Sequence, residues 1–152
     1  MKLWRISNYA DLKGIGGIKT LGRWHNKGIP VVYLSESPSL AMLETLAHFE
    51  LDINEVPDNY QLLEVEFSGN QGIRHLSDDS LIEGWYRNDE YTRVIGDEWL
   101  STMQSILLRV PSVVVPHSYN YLLNPRHELA KRAKILSAKM HPFDHRLILQ
   151  ED

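Results

Sequence analysis

Five of the nine glycines fall between residues 14 and 28. A stretch so rich in glycine is a loop, able to bring its backbone close to a ligand or to another strand. Ile29 to Ser35 follows, short, apolar and rich in β-branched residues, and reads as a buried strand. Ser37 suits an N-cap with Pro38 at the first helical position, which predicts a helix running to about Leu51. Its apolar stripe is Leu40, Leu43, Ala47 and Leu51, widened by Met42, Leu46 and Phe49. Glu44 and His48, four apart, share one face of that helix. Loop, strand and helix thus place Arg23, Tyr33 and Glu44 within one short stretch of chain.

The remaining chain mixes both kinds of element. Tyr60 to Phe67 alternates, with Leu63, Val65 and Phe67 on one side and Glu64 and Glu66 on the other, as a half-buried strand does. Residues 68–92 are polar and turn-rich, a loop with one short helix. Val94 to about Gln104 has helical spacing, with Trp99, Leu100 and Met103 inward. Ile106 to Val115 is strand-like but interrupted at Pro111-Ser112, where proline lacks a ladder donor. Residues 117–125 read as an Asn/Pro loop, and Glu128 to Ala133 as a short helix. Ile135 to Met140 and Arg146 to Leu149 suit closing strands. Strands and helices without strict βαβ alternation indicate an α+β fold.

At 152 residues the expectation is a single domain, 1–152, burying roughly 70% of its unfolded surface. No cysteine is present, which excludes disulfides and thiolate metal sites. Sixteen basic against twenty acidic residues give a formal net charge of −4, which argues against a nucleic-acid binder that works by neutralising phosphates. No apolar run approaches the ~20 residues of a membrane span. Charge interrupts the N-terminus at once, so no signal peptide is expected. The expectation is a soluble cytoplasmic protein without membrane association.

Three groups carry the chemistry. A fixed cation, an aromatic ring and a carboxylate suit a substrate with a pyrophosphate, a flat base and a ribose, which points to a nucleotide and to NAD in particular. Arg23 can bind phosphate oxygens bidentately; the alternative is a surface arginine lying on an aromatic ring. Tyr33 either packs in the core or lines a pocket, where Trp24 and His25 are further candidates. Glu44 sits among Leu43, Leu46 and Ala47, and a carboxylate there is either paired, with Arg23 or His48, or placed at a site. Ser112 either satisfies backbone at a bulge or belongs to the pocket. Asn120 and Asn124 suit turns, and Asn124 is the more expected of the two to touch a ligand. Gly14-Ile15-Gly16-Gly17 is a tight turn and not a phosphate loop, since Lys19 replaces the required glycine and no Gly-Lys-Ser/Thr follows. His141 and His145 are separated by Pro142, and no His-Glu-x-x-His occurs, so no metal is expected.

The chain resembles the RES family, the toxin half of RES–Xre toxin–antitoxin pairs, named for an arginine, a glutamate and a serine. The resemblance is carried by Trp4-Arg5-Ile6, Gly14-Ile15-Gly16-Gly17, Gly22-Arg23-Trp24-His25 and Pro30-Val31-Val32-Tyr33. It continues through Ser37-Pro38-Ser39-Leu40-Ala41 into Glu44 and His48, then Ile95-Gly96-Asp97, Val110-Pro111-Ser112 and Asn120 to Pro125. It spans Trp4 to about His127. It implies a core like that of ADP-ribosyltransferases, a small bent β-sheet flanked by helices, and maps the triad onto Arg23, Glu44 and Ser112. It also implies NAD as substrate with no prosthetic group. Cleavage of the nicotinamide–ribose bond would be by a glycohydrolase or phosphorylase, or alternatively by a mono-ADP-ribosyltransferase acting on a host protein. A catalytically inactive module that keeps only the antitoxin interface is a further alternative. The implied partners are a cognate Xre-type helix-turn-helix antitoxin and a second toxin copy, a homodimer within a toxin–antitoxin hetero-oligomer. DNA contacts would belong to the antitoxin.

Overall fold

A computed structural model describes residues 1–48, 57–69 and 72–147. Seven strands form one sheet: β1 (Lys2–Ile6), β2 (Val32–Ser35), β3 (Asn59–Phe67), β4 (Ile73–His75), β5 (Leu107–Pro111), β6 (Tyr119–Leu123) and β7 (Ala133–Pro142). Their order is β4-β5-β6-β2-β1-β3-β7. Neighbours are antiparallel except β4 and β5. The helices are α1 (Ile15–Lys19), α2 (Pro38–His48) and α3 (Asp89–Thr102). The architecture is α+β, as the unalternating element pattern suggests.

Strand alternation gives the sheet two different faces. Leu3, Val32, Leu34, Leu63, Val65, Phe67 and Leu123 build a core on one face. Trp24, Val31, Trp85, Trp99, Leu100, Leu108, Val110 and Leu122 build a second core on the other. Register puts Tyr33, Leu122 and Leu108 in one transverse row and Ser35, Asn120 and Val110 in the next. These rows face the side on which α2 and α3 lie. α3 covers the β5–β6 half through Trp99 and Leu100. α2 covers the β1–β2 half. The functional side chains emerge between the two helices.

Several expectations shift. Ser37 Oγ accepts from the backbone of Leu40 at 3.1 Å, as an N-cap should. However, α2 is rolled from the expected stripe: Leu40 and Ala41 are buried, while Leu43 and Ala47 are exposed. The buried side therefore runs through positions 40, 41, 44 and 45 and turns Glu44 to the sheet. Phe49 and Leu51 lie outside the described residues. β1 and β4 escaped the periodicity reading, and β6 replaces the expected 117–125 loop. Asn120 masks its alternation, yet the strand pairs on both sides. The helix expected over 128–133 is a 3₁₀ turn at Ala130–Arg132, after which β7 begins. His145–Leu147 is likewise a 3₁₀ turn and not a strand; Ile148 and Leu149 lie outside the described residues. Met103 is not buried as expected: it ends α3 in the left-handed region at φ 56° and is partly exposed, with its Sδ turned back to accept from Asn124 Nδ2 at 3.3 Å.

Candidate active site

A cleft of about 450 Å³ opens between the α1 loop, α2 and the end of β5; Gly16, Arg23, Trp24, Tyr33, Glu44, His48 and Asn120 line it. That size falls within the range of small-molecule sites. A second hollow of about 220 Å³ lies toward β1, walled by Trp4, Ile6 and Thr45. Tyr33, Glu44, His48 and Asn120 border both, so Glu44 stands at the junction.

Glu44 is held on one oxygen only. Its Oε1 accepts from Ser112 Oγ at 2.6 Å and from Asn120 Nδ2 at 2.7 Å. Ser112 Oγ itself accepts from the backbone of Val114 and Val115, at 3.1 and 3.0 Å, which directs its single proton to Glu44. Asn120 Oδ1 accepts from Ser35 Oγ at 2.8 Å, which fixes the amide so that Nδ2 faces the carboxylate. Oε2 has no protein partner among the described residues. The ion pair with Arg23 and the hydrogen bond with His48, both open from the sequence, are not made. Ser112 sits where β5 stops after Pro111: its backbone donates to Ser118 across a tight turn, and its buried hydroxyl is the end of a relay.

Arg23 approaches from the other side of the cleft. Its Nη1 donates to the backbone oxygen of Tyr86 at 3.1 Å and to Asp89 Oδ1. Tyr33 is the platform beneath the arginine loop. Its hydroxyl accepts from the backbone of Trp24 at 3.2 Å and lies 2.7 Å from His25 Nδ1. His25 Nε2 meets the carbonyls of Gly17 and Thr20 at 3.2 and 2.9 Å. Carbonyls only accept, so Nε2 carries a proton. Burial pushes the Tyr33 phenol above its usual range. Gly22 permits this stack, since a Cβ there would stand 2.6 Å from the Tyr33 hydroxyl.

Two sequence candidates sit elsewhere. His25 is 2% exposed and braces the loop from below, both ring nitrogens engaged by protein, rather than lining the cleft. Asn124 is fully buried; its Nδ2 donates to the Leu100 carbonyl at 3.1 Å and its Oδ1 accepts from the backbone of Arg126. It ties the end of β6 to α3, and Asn120, four residues earlier on β6, takes the place in the cleft. Asp89 was not singled out from sequence, because it falls in the polar stretch 68–92 that reads as loop; the structure places it in the first turn of α3. Among the described residues no cluster of three or more His, Asp or Glu could hold a metal ion.

The model of the RES domain matches residues 2–145. The chain belongs to the RES domain family. It is 46% identical over 135 residues to a protein named Toxin Res from Pseudomonas putida, covering 89% of this chain and 92% of that relative. It is 34% identical over 155 residues to a Prs ADP-ribosylating toxin from Sphingobium sp., covering 95% of each. Its fold resembles a chain in the crystal structure of the M. tuberculosis MbcT–MbcA toxin–antitoxin complex, with a TM-score of 0.77 at 12% identity over 93% of this chain and 84% of that one. In this chain an arginine loop, a tyrosine strand and a glutamate helix border the larger cleft.

Proposed function

We propose that this RES protein is the toxin of a toxin–antitoxin pair and that it depletes NAD by breaking the nicotinamide–ribose bond. The observation that carries this reading is the geometry of Glu44, anchored through Oε1 and left with Oε2 free at the junction of the two hollows. The nicotinamide of NAD is already cationic and departs as a neutral base. No general acid is needed, so one carboxylate serves where most glycosidases use two. Glu44 Oε2 accepts a hydrogen bond from the ribose and stabilises the oxocarbenium charge as the bond lengthens. Arg23 anchors the pyrophosphate, so binding energy remote from the reacting carbon holds the ribose in place. Tyr33 packs against the ring or ribose. Ser112 acts through Glu44, keeping its carboxylate from turning away. Water or phosphate then attacks C1 of the ribose, which makes the reaction a hydrolysis or a phosphorolysis.

A protein acceptor is the second reading, favoured by the Sphingobium relative named as an ADP-ribosylating toxin. The two separate on one test: purified protein with NAD as sole substrate, followed by chromatography for nicotinamide. Release in the absence of any protein substrate supports NAD destruction; release only when a target protein is added supports ADP-ribosylation. A cytoplasmic NAD-consuming enzyme must be silenced in its own host, and an Xre-type helix-turn-helix antitoxin that covers the cleft meets that need. A homodimer of toxin copies within the hetero-oligomer completes the proposed assembly, with DNA contacts left to the antitoxin.

A further inference from the structure

The Gly96-Asp97 dipeptide and the first turn of α3 have no part in the chemistry above, yet they meet the arginine loop residue by residue. The Gly22 carbonyl accepts from Arg93 Nε at 2.8 Å. The Arg23 carbonyl accepts from Thr92 Oγ1 at 2.6 Å. The Trp24 backbone lies so close to α3 that a Cβ on Gly96 would fall 1.6 Å from its oxygen. Asn26 donates from its backbone and from Nδ2 to the two oxygens of Asp97, at 2.9 and 2.6 Å. Positions 89, 92, 93, 96 and 97 form one helical face, so α3 is a rail along which residues 22–26 are laid.

Asp89 is the member of that face that reaches the arginine side chain. A guanidinium has five N–H groups in a fixed plane. Asp89 Oδ1 and the Tyr86 carbonyl share Nη1, using both of its protons. Nε and Nη2 have no protein partner among the described residues. They form one edge of the plane, the edge that binds an oxyanion with two parallel hydrogen bonds. Arg93 Nη2 lies 3.5 Å from Asp89 Oδ2 and holds the carboxylate in turn. We infer that Asp89 is a positioning residue: it occupies Nη1 so that the Nε–Nη2 edge of Arg23 faces the cleft, preset for a pyrophosphate. This rests on the reading of Arg23 as the pyrophosphate anchor. Asp89 is half-exposed, and an exposed ion pair adds little to stability. Its contribution is therefore direction, and it should register in anion affinity and not in folding.

The test is Asp89→Asn, which keeps the shape and removes the charge, with Glu90→Gln in the same helical turn as control. Purified proteins are titrated with ADP-ribose and with inorganic pyrophosphate by calorimetry, and turned over with NAD. For Asp89→Asn we expect both anions to bind about tenfold more weakly, the loss of roughly one oriented charge-assisted hydrogen bond. KM for NAD should rise by a similar factor with kcat within about twofold, since the anchor binds ground and transition states alike. Inhibition by nicotinamide, which carries no phosphate, should not change, and neither should the melting temperature. Glu90→Gln should match the wild type throughout. Unchanged or tighter anion binding in Asp89→Asn would overturn the inference, tighter binding showing that Asp89 competes for Arg23. If the wild type cleaves NAD but neither anion binding nor KM depends on Asp89, positioning fails and the NAD reading stands. If the wild type binds neither anion and releases no nicotinamide, both fail.

Discussion

At the scale of single residues, the site is an exercise in spending donors. Glu44 receives two hydrogen bonds on one oxygen, and each donor is itself fixed by a further contact, Ser112 by the 113–115 turn and Asn120 by Ser35. Ordered donors of this kind cost nothing to reorganise when charge develops. Tyr33 shows the same economy, with its hydroxyl placed between Trp24 and His25. Its phenol also makes stability depend on pH. The unfolded tyrosine ionises near pH 10, whereas burial raises the folded value well beyond it. The contribution is complete below the unfolded pKa and is lost as pH rises above it, because the unfolded state can release a proton that the folded state retains. Denaturation by urea at increasing alkaline pH should show stability falling from about pH 10 upward in the wild type. In Tyr33→Phe the fall should be shallower, although the variant starts about 1 kcal/mol lower for its lost hydrogen bonds. Parallel slopes in the two proteins would mean that Tyr33 is not the group responsible.

At the scale of elements, the loop–strand–helix order from residue 14 to 48 was legible because each element carries a local signal: clustered glycine, β-branched residues, then Ser37-Pro38. Arg23, Tyr33 and Glu44 lie on those elements and are brought to one cleft. The roll of α2 was not legible. Leu43 and Ala47 extend an apolar stripe by composition, but Glu44 is turned inward by donors from β6 and the β5 turn, which are distant in sequence. β6 itself was hidden for the same reason, since its polar Asn120 faces the site and breaks the apolar pattern. The contribution of α3 could not be read either, because its contacts run from positions 89–97 back to 22–26. That contact yields a prediction. Gly96→Ala would drive a methyl group into the Trp24 backbone carbonyl, so the loop must shift. Overpacking of this kind costs about 1–3 kcal/mol. Thermal unfolding should show that loss, and NAD affinity should fall as well. A fully stable Gly96→Ala with native NAD affinity would show that the loop and α3 part without consequence.

At the scale of the whole molecule, both helices that border the site lie on one face of a sheet whose opposite face is a separate core. The cleft can therefore change without disturbing half of the hydrophobic interior. Beside its mouth, the turn of α1 exposes Ile15, Ile18 and Leu21, and Val113 and Val114 are exposed across from them. An antitoxin that silences the protein by covering the cleft would bury this apolar rim beside the 14–28 loop. Ile18→Asp, outside the cleft lining, should leave the toxin harmful to cells even when the antitoxin is co-expressed. Full rescue of growth by antitoxin in that variant would place the interface elsewhere.

The central claim, that Glu44 supports cleavage of NAD, is tested most directly by single-substrate kinetics of Glu44→Gln. Glutamine keeps the Oε1 that accepts from Ser112 and Asn120 and replaces only the free oxygen, so the fold and its melting temperature should be retained. Nicotinamide release from NAD should fall by about 10²–10³. A folded Glu44→Gln protein that releases nicotinamide at the wild-type rate would contradict the account.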